Sequence, residues 1–204
     1  MYTQRVTFFP AIGKGPELRP ILEERARLRQ AQGVRANLQT TVFAGEQRFN
    51  LNLQVDDLGA LDAVRAKPLP VDTRIAPLTR QPNHLSLYEN LLAAQAAPTP
   101  ARYIQRISRM PLPGKGRELI ALVLERAKAR QAEGIRTSIS VQVAGAASGT
   151  LVTNLIFTSL AELEKQRARN QTDAAQQQFQ ATVATLAGPN RVEIFETLVP
   201  FQPR

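Results

Sequence analysis

Two pairs of segments in the chain alternate hydrophobic and polar residues, and a short loop separates the members of each pair. The first pair covers residues 34–42 and 49–55, and the second covers residues 135–143 and 150–157. Alternation with a period of two is typical of strands that bury one side of a sheet. Two such strands around a short loop indicate a β-hairpin, so we predict one hairpin in each half of the chain.

Helical patterns precede and follow each hairpin. The helix before the first hairpin spaces its apolar residues by three and four positions, as one buried helix face requires, at Leu18, Ile21, Leu22 and Ala26. We predict its counterpart over residues 117–133. Further helices are predicted after the hairpins, over residues 58–64 and over residues 160–186, the second with a break near residues 170–173.

Four further strands complete the pattern. Residues 4–9 and 103–110 precede the long helices, and residues 85–91 and 192–198 close the two halves. Each half therefore has the order β-α-β-β-α-β, which is the ferredoxin-like split arrangement. In the first half, a proline-rich segment between the short helix and the last strand is predicted to be irregular.

The two halves also share short sequence motifs. Gly-Lys-Gly-x-Glu-Leu opens both long helices, at residues 13–18 and 114–119, and Arg-Gln-Ala-x-Gly-x-Arg ends them, at residues 29–35 and 130–136. The repeat spans half the chain, far more than the roughly 20–50 residues of a solenoid unit. We therefore predict a duplicated domain rather than an array of small repeats.

The element order, the duplication and these motifs resemble the dimeric α/β barrel superfamily, here fused in tandem so that one chain supplies both halves. Within that superfamily the chain is most similar to the NIPSNAP and antibiotic biosynthesis monooxygenase groups. The resemblance implies an α+β fold of two ferredoxin-like domains, residues 1–95 and residues 101–204. It also implies that their antiparallel sheets pack face to face as an intrachain barrel.

The charge of the chain is strongly positive, with 26 Lys and Arg against 17 Asp and Glu and a formal net charge of +9. Such an excess can attract nucleic acid or another anionic surface. The basic residues are spread over both halves, however, and aromatic residues make up only 5%. Proteins that bind single strands combine a basic groove with aromatic stacking platforms, so nucleic acid is the least favoured partner.

Features that the sequence lacks bear on its location. There is no apolar run of about 18 residues, so no membrane span is predicted. The first nine residues do not have the basic, apolar and small-residue regions of a secretory signal. With no cysteine, the chain has no disulfide. We therefore predict a cytoplasmic protein without a membrane partner.

The polar sides of the hairpins supply the first candidate site. Their side chains are Asn37, Gln39, Asn50, Asn52 and Gln54 in the first half and Ser138, Ser140, Gln142 and Asn154 in the second. Buried amides and hydroxyls need hydrogen-bond partners, so these groups must bond to one another, to trapped water or to a ligand. A hydrated structural interior is the favoured interpretation, and Asn52 and Asn154 are the ligand-binding candidates.

Four arginines hold equivalent places in the two halves: Arg5 and Arg106 on the first strands, and Arg35 and Arg136 at the start of the second strands. A guanidinium near a barrel mouth can bind a carboxylate or phosphate through two parallel hydrogen bonds. In this fold, however, the last strands lie beside the first strands and carry Glu89 and Glu196. Ion pairs of Arg5 with Glu89 and of Arg106 with Glu196 are the favoured alternative.

His84 is the only histidine and could act as a general base or a haem ligand. A metal site would need further ligands clustered with it, and none is visible, so no metal is predicted. The proline-rich segment leaves room for an opening in the first domain, which His84 and Tyr88 would border. Haem-degrading members of the superfamily use a Trp and a His with an Asn. This chain has no Trp, and we predict no cofactor.

These observations leave three functions open. The favoured one is a barrel without catalytic activity that binds a small anionic or aromatic molecule or serves in assembly, and this intrachain pseudo-dimer could form further homo-oligomers. The first alternative is a cofactor-independent monooxygenase acting on an aromatic substrate in the sheet–helix cleft of one domain, since such enzymes need mainly an apolar pocket with a few polar groups. The second is nucleic-acid binding through the basic surface.

Overall fold

The computed structural model describes residues 1–43, 46–70 and 72–202. The first half of the chain contains β1 (Tyr2–Phe8), α1 (Gly15–Ala31), β2 (Arg35–Val42), β3 (Phe49–Val55), α2 (Leu58–Arg65) and β4 (His84–Leu92). The second half contains β5 (Tyr103–Arg109), α3 (Gly116–Ala132), β6 (Thr137–Ala144), β7 (Leu151–Phe157), α4 (Leu160–Thr172), α5 (Ala174–Ala184) and β8 (Arg191–Val199). A short 3-10 turn, Ala76–Leu78, lies between α2 and β4.

The predicted α+β fold class is confirmed. The strands pair in the order β1-β3-β2-β8-β5-β7-β6-β4, and this order closes into a barrel. The hairpin pairs β2–β3 and β6–β7 are antiparallel, as are β1–β3 and β5–β7. This is the fold of a tandem dimeric α/β barrel.

The last helical segment of the second half breaks where the sequence predicts it. Asp173 separates α4 from α5, and its carboxylate accepts hydrogen bonds from the backbone N–H groups of Ala175 at 2.9 Å and Gln176 at 3.2 Å. These bonds satisfy two donors that the start of a helix leaves unpaired. Asp57 caps α2 in the same way, accepting from the N–H of Ala60 at 2.7 Å.

The shared Gly-Lys-Gly motif forms the turn before each long helix. Gly13 and Gly114 have φ angles of 77° and 75°, in the left-handed region that a residue with a Cβ rarely adopts. The lysine after each of them pairs with the glutamate of the first helical turn, at 2.7 Å in α1 and 2.8 Å in α3. The motif is therefore structural in both halves.

The chain divides into two compact units. The first comprises residues 1–89, 144–146 and 195–204, and the second comprises residues 90–143 and 147–194. Because the divisions fall inside β4 and β8, each of these strands contributes to both units. The two domains inferred from the repeat, residues 1–95 and 101–204, remain our proposal for the duplicated segment.

The core of the first unit lies between α1 and the sheet. Its fully buried side chains are Leu18, Leu22, Ala26, Ala36, Leu38 and Phe49. Burying a leucine or phenylalanine side chain stabilises a fold by roughly 1.5–3 kcal/mol, so this layer fixes α1 on β2 and β3. Val199, at the end of β8, belongs to the same core.

The core of the second unit has one additional element. Its buried side chains include Leu119, Val123, Ala127, Ile139 and Leu151 from α3 and the sheet, together with Phe179 and Val183 from α5. Between α2 and β4 the first unit has the 3-10 turn and otherwise irregular chain among its described residues. The units therefore differ mainly in what covers this part of the sheet.

No helix within the described residues combines the length and apolar character needed to traverse a lipid bilayer.

Candidate ligand-binding sites

Arg5, Asn52 and Tyr88 meet on the side of the first unit's sheet that faces away from α1. Arg5 donates hydrogen bonds from Nε to Asn52 Oδ1 and from Nη1 to Tyr88 Oη, both at 2.9 Å. Its guanidinium carbon lies 4.3 Å from the centre of the Tyr88 ring. Asn52 donates in turn to Asn37 Oδ1 at 2.7 Å. These candidates form one polar network whose members bond to one another.

The favoured ion pair between Arg5 and Glu89 is wrong. Ser86 lies opposite Arg5 on β4, whereas Glu89 lies opposite Tyr2, three residues from the position the pair would need. Arg5 is held by neutral groups instead. Burial lowers the pKa of Arg5, and the Tyr88 hydroxyl opposes that effect.

Arg106 and Asn154 form a related pair in the second unit. Arg106 Nε donates to Asn154 Oδ1 at 3.0 Å, and Asn154 Nδ2 donates to Ser138 Oγ at 3.2 Å. Phe195 stands in the sequence where the first half has Tyr88, so the hydroxyl that Arg5 uses has no counterpart. The ion pair of Arg106 with Glu196 stays a prediction.

Arg35 and Arg136 contact other parts of the chain. Arg35 donates to the side chain of Gln54, and its guanidinium carbon lies 5.4 Å from the centre of the Phe201 ring. Arg136 donates to the backbone oxygen of Thr99 at 3.2 Å. These contacts give both residues a role in fixing neighbouring segments.

His84 is exposed at the start of β4. Its ring contacts that of Phe9 edge to face, with centres 4.7 Å apart and planes at 65°. His84 and Tyr88 point to the same side of β4, because alternate strand residues share a side. The opening in the first unit is on the other side of the sheet.

That opening, which we name the first cleft, has a volume of about 560 Å³. It lies between the sheet and the layer formed by α1, α2 and the segment that leads to β4. Its apolar lining consists of Val6, Phe8, Leu51, Leu53, Val64, Leu69 and Ile75. On the β4 side the lining ends at Asn83, so the structure places neither His84 nor Tyr88 in it.

Three arginines line the first cleft: Arg25, Arg29 and Arg65. Arg25 donates to the backbone oxygen of Pro70 at 3.1 Å, and Arg29 to that of Lys67 at 2.7 Å. Burial lowers the pKa of Arg29, and the positive charge of Arg25 lowers it further. The two positive charges are therefore close enough to repel each other.

Asp72 is the acidic residue of the same lining. Arg74 pairs with it at 2.7 Å and holds the pKa of Asp72 at about 2, chiefly through that hydrogen bond. Arg74 also binds Glu24 at 3.0 Å. Both carboxylates are thus paired with Arg74, and the arginines of the cleft keep an excess of positive charge.

A second cleft, of about 470 Å³, lies in the second unit between β5, α3 and the helices α4 and α5. Amide side chains dominate its lining, which consists of Gln105, Ile107, Arg130, Asn170, Gln171, Gln176, Gln177, Gln180, Asn190 and Val192. The two clefts therefore differ in the side chains that line them: the first has aliphatic and aromatic side chains with three arginines, and the second has mainly amide side chains around one buried arginine.

The sequence reasoning missed the arginines of both clefts. Arg25 and Arg29 fit the pattern of a solvated helix face. Arg130 did leave a signal, since it continues the buried stripe of α3 after Leu119, Val123 and Ala127 at spacings of four, four and three. An arginine at such a position must be buried or must interrupt the packing.

The fold is that of a tandem dimeric α/β barrel, and the described residues of each unit form a sheet–helix cleft. No protein-family model matches the chain, and no curated protein matches it. Solved structures do match. A protein from Fusobacterium nucleatum subsp. nucleatum, described as a "putative monooxygenase", aligns with a TM-score of 0.77 over 98% of this chain and 94% of its own, at 7% identity.

Two further structures share the fold over nearly their whole length. An anthrone oxidase-like protein aligns with a TM-score of 0.65 over 98% of this chain and 92% of its own, at 14% identity. A heme-binding protein from Thermus thermophilus aligns with a TM-score of 0.53 over 97% and 91%, at 14% identity. At these identities the likeness establishes the fold and leaves the function to the residues of this chain.

The heme-binding neighbour raises the question of whether haem fits here. Haem iron in proteins takes an axial His, Cys, Met or Tyr. None of these residue types lines either cleft within the described part of the chain. The residues present therefore do not fit an iron-ligating haem site in the clefts.

Proposed function

We propose that the first cleft binds a small molecule with an apolar, aromatic body and an anionic group. The observation that carries this proposal is the meeting of an apolar floor and three arginines in one opening of about 560 Å³. Small-molecule sites are mostly apolar clefts of roughly 300–1,000 Å³ with a few placed polar groups. An aromatic ring would lie on Phe8 and the leucines of β3, and its carboxylate would reach Arg25 or Arg65.

The choice of an anion follows from the charges around the cleft. Hydrogen bonds between a guanidinium and a carboxylate are roughly twice as strong as neutral ones. Asp72 and Glu24 hydrogen-bond to Arg74, and the charge of Arg25 acts on Asp72 only as a smaller effect, so the side chain of Arg25 can still bind a ligand carboxylate. Among the described lining residues a cation would meet three arginines, and the carboxylate there, Asp72, is already paired with Arg74.

The test is a comparison of matched acids and amides by thermal shift and calorimetry. We expect 2-naphthoate to bind and to raise the melting temperature, because a ligand at 100 times its dissociation constant adds about 2.7 kcal/mol of stability. The neutral 2-naphthamide keeps the ring and loses the charge, and we expect its affinity to be about tenfold lower.

Variants locate the site. Arg25→Gln and Arg65→Gln should each weaken 2-naphthoate binding by about tenfold. Arg117→Gln is the matched control, since it removes the same charge from an exposed position of the second unit and should leave the affinity unchanged. Equal affinities for acid and amide, or equal affinities in all three variants, would contradict the proposal.

A second candidate function is oxygenation of an aromatic substrate in the same cleft without a cofactor. It is favoured by the neighbours described as a monooxygenase and as anthrone oxidase-like. Asp72 is a poor general base because its pKa is about 2. The substrate would therefore have to lose its proton to water. A ring CH₂ would become C=O with one oxygen atom of O₂, while the other leaves as water with the two hydrogens.

Oxygen uptake separates the two functions. With anthrone as the probe, catalysis predicts one O₂ consumed for each anthraquinone formed, at a rate above that of buffer and dependent on protein concentration. Leu53→Trp, which fills the cleft, should abolish the rate. If oxygen uptake equals that of buffer while 2-naphthoate still binds, the protein binds the ligand and does not oxygenate it.

A further inference from the structure

Arg109 and Arg130 are buried cations in the second unit, with exposed fractions of 1% and 2%. Arg109 extends from β5 and Arg130 from α3, and their guanidinium carbons lie 5.7 Å and 6.0 Å from the centre of the Phe179 ring. Cations are attracted to aromatic faces, but removing a guanidinium from water without a counter-ion is costly. Burial lowers the pKa of each to about 10.

The hydrogen-bond partners of these arginines are neutral. Arg109 Nη1 donates to Thr153 Oγ1 at 3.1 Å, and Arg130 Nη2 donates to Gln176 Oε1 at 2.8 Å. Nε and Nη2 of Arg109 and Nε of Arg130 are buried without a hydrogen-bond partner among the described residues. Buried donors in native proteins are normally satisfied, so these N–H groups indicate a missing acceptor.

The nearest carboxylates are bound to other arginines. Asp173 binds Arg126 at 2.9 Å, and Glu133 binds Arg169 at 2.8 Å with Arg126 3.6 Å away. Both acids raise the pKa of Arg130, but burial and the neighbouring arginines have larger effects. The described residues of this cluster therefore retain a positive charge that no carboxylate neutralises.

The second cleft gives a ligand access to this charge. Arg130 lines it, and so does Gln105, whose Oε1 is buried without a donor among the described residues. Both side chains line the cleft while these atoms themselves are covered, so a rotation of either side chain would present the guanidinium N–H to an anion and the amide oxygen to a hydroxyl group. The amides of Asn170, Gln180 and Asn190 also line the cleft and can hydrogen-bond to a ligand that carries many oxygen atoms.

We propose that the second cleft binds a small hydroxy-carboxylate, at a site separate from that of the aromatic anion. The carboxylate lies against Arg130, whose planar guanidinium matches its geometry. A hydroxyl of the ligand donates to Gln105 Oε1, and the amide rim bonds to the remaining oxygen atoms. Arg109, whose guanidinium also lies against Phe179, contributes its positive charge to the attraction of the carboxylate.

The first experiment uses the full chain and four probes: D-gluconate, D-glucose, acetate and inorganic phosphate. We expect gluconate to raise the melting temperature and to bind in calorimetry. Glucose lacks the charge, acetate lacks the hydroxyls and phosphate lacks the planar carboxylate, so each should bind about tenfold more weakly or worse. Absence of gluconate binding, or equal binding of phosphate, would overturn the proposal.

Variants distinguish a binding site from a structural stack of arginines on Phe179. Arg130→Met should weaken gluconate binding by about tenfold or more, with an unliganded melting temperature equal to or above that of the original chain, because an uncompensated buried charge is removed. Gln105→Leu should weaken the binding of gluconate and leave the binding of acetate unchanged. This variant distinguishes the two roles if Arg130→Met does not fold.

Arg25→Gln in the first cleft is the matched control and should leave gluconate affinity unchanged. This control also separates the two proposals, since gluconate binding does not depend on whether 2-naphthoate binds. Retention of full gluconate affinity in both Arg130→Met and Gln105→Leu would assign Arg130 a structural role alone and refute the site.

Discussion

The ion pair of Asp72 with Arg74 makes the rim of the first cleft sensitive to acid. The pKa of Asp72 is about 2 in the folded chain, against an ordinary value of 3.8. A depressed carboxyl pKa contributes stability that is fully present above the unfolded value and is lost as the pH falls through the folded one. The contribution should therefore be constant near neutral pH, decline below about pH 5 and disappear at about pH 1.

Asp72→Asn tests this at the level of one carboxyl. We expect the variant to melt slightly below the original chain at pH 5 to 7, and we expect the two melting temperatures to converge as the pH falls to about 1. Asp62→Asn removes an exposed acid from α2 and is the control for the general effect of charge. A difference between Asp72→Asn and the original chain that persisted undiminished at about pH 1 would mean that Asp72 stabilises the rim by another route.

Single residues also show where sequence reasoning was sufficient and where it was not. Alternation along β3 predicted that Asn52 lies on the polar side of the hairpin, and the structure joins Arg5 to it. The partner of Arg5 on β4 depended on the register: Ser86 lies opposite Arg5, and Tyr88, on the same side of β4, accepts its hydrogen bond in place of Glu89. Composition gave no indication that Arg109 on β5 would be fully buried, because that depends on α5 placing Phe179 over it.

The two long helices differ at one position that matters for their stability. Pro20 lies inside α1 and is exposed, whereas α3 has Ala121 at the equivalent position, also exposed. Proline has no N–H to donate to the carbonyl four residues earlier and costs about 3 kcal/mol relative to alanine inside a helix. Because proline also restricts the unfolded chain, this loss of stability is reduced by about 0.4–1 kcal/mol.

A reciprocal exchange measures this difference. Pro20→Ala should stabilise the protein by about 2–2.6 kcal/mol, which corresponds to a rise in melting temperature of roughly 4–10 °C for a chain of this size. Ala121→Pro should destabilise α3 by a similar or larger amount. Thermal melts read by circular dichroism give both values. If Pro20→Ala lowered the melting temperature, α1 would depend on the proline for its geometry.

At the scale of elements, periodicity was a reliable guide because each strand and helix buries one side. The hairpins, the long helices and the break before α5 all follow from local patterns. The clefts could not be predicted in this way. Their shape depends on how residues 66–83 and α5 lie over the sheet, and neither segment's position is encoded in its own periodicity.

For the whole molecule, duplication is the feature that the sequence stated most clearly, and the closed strand order confirms it. The copies have since acquired different coverings: a proline-rich stretch in one and a capped helix in the other. As a result one unit has an apolar cleft with arginines at its rim, and the other has an amide-lined cleft over buried arginines. We therefore expect 2-naphthoate and gluconate to stabilise the protein additively when both are present.

Because β4 and β8 each contribute to both units, cleavage of the chain between its two halves should affect both hydrophobic cores. Val199, from the end of the second copy, packs in the core that contains Leu18 and Leu22, while Leu91 and Leu92 pack in the core that contains Leu119. Fragments made by cleavage near residue 97 would each leave part of their own hydrophobic interior in the other piece. Such fragments should be poorly folded when expressed singly and should recover structure on mixing, so this protein is a natural candidate for a split reporter.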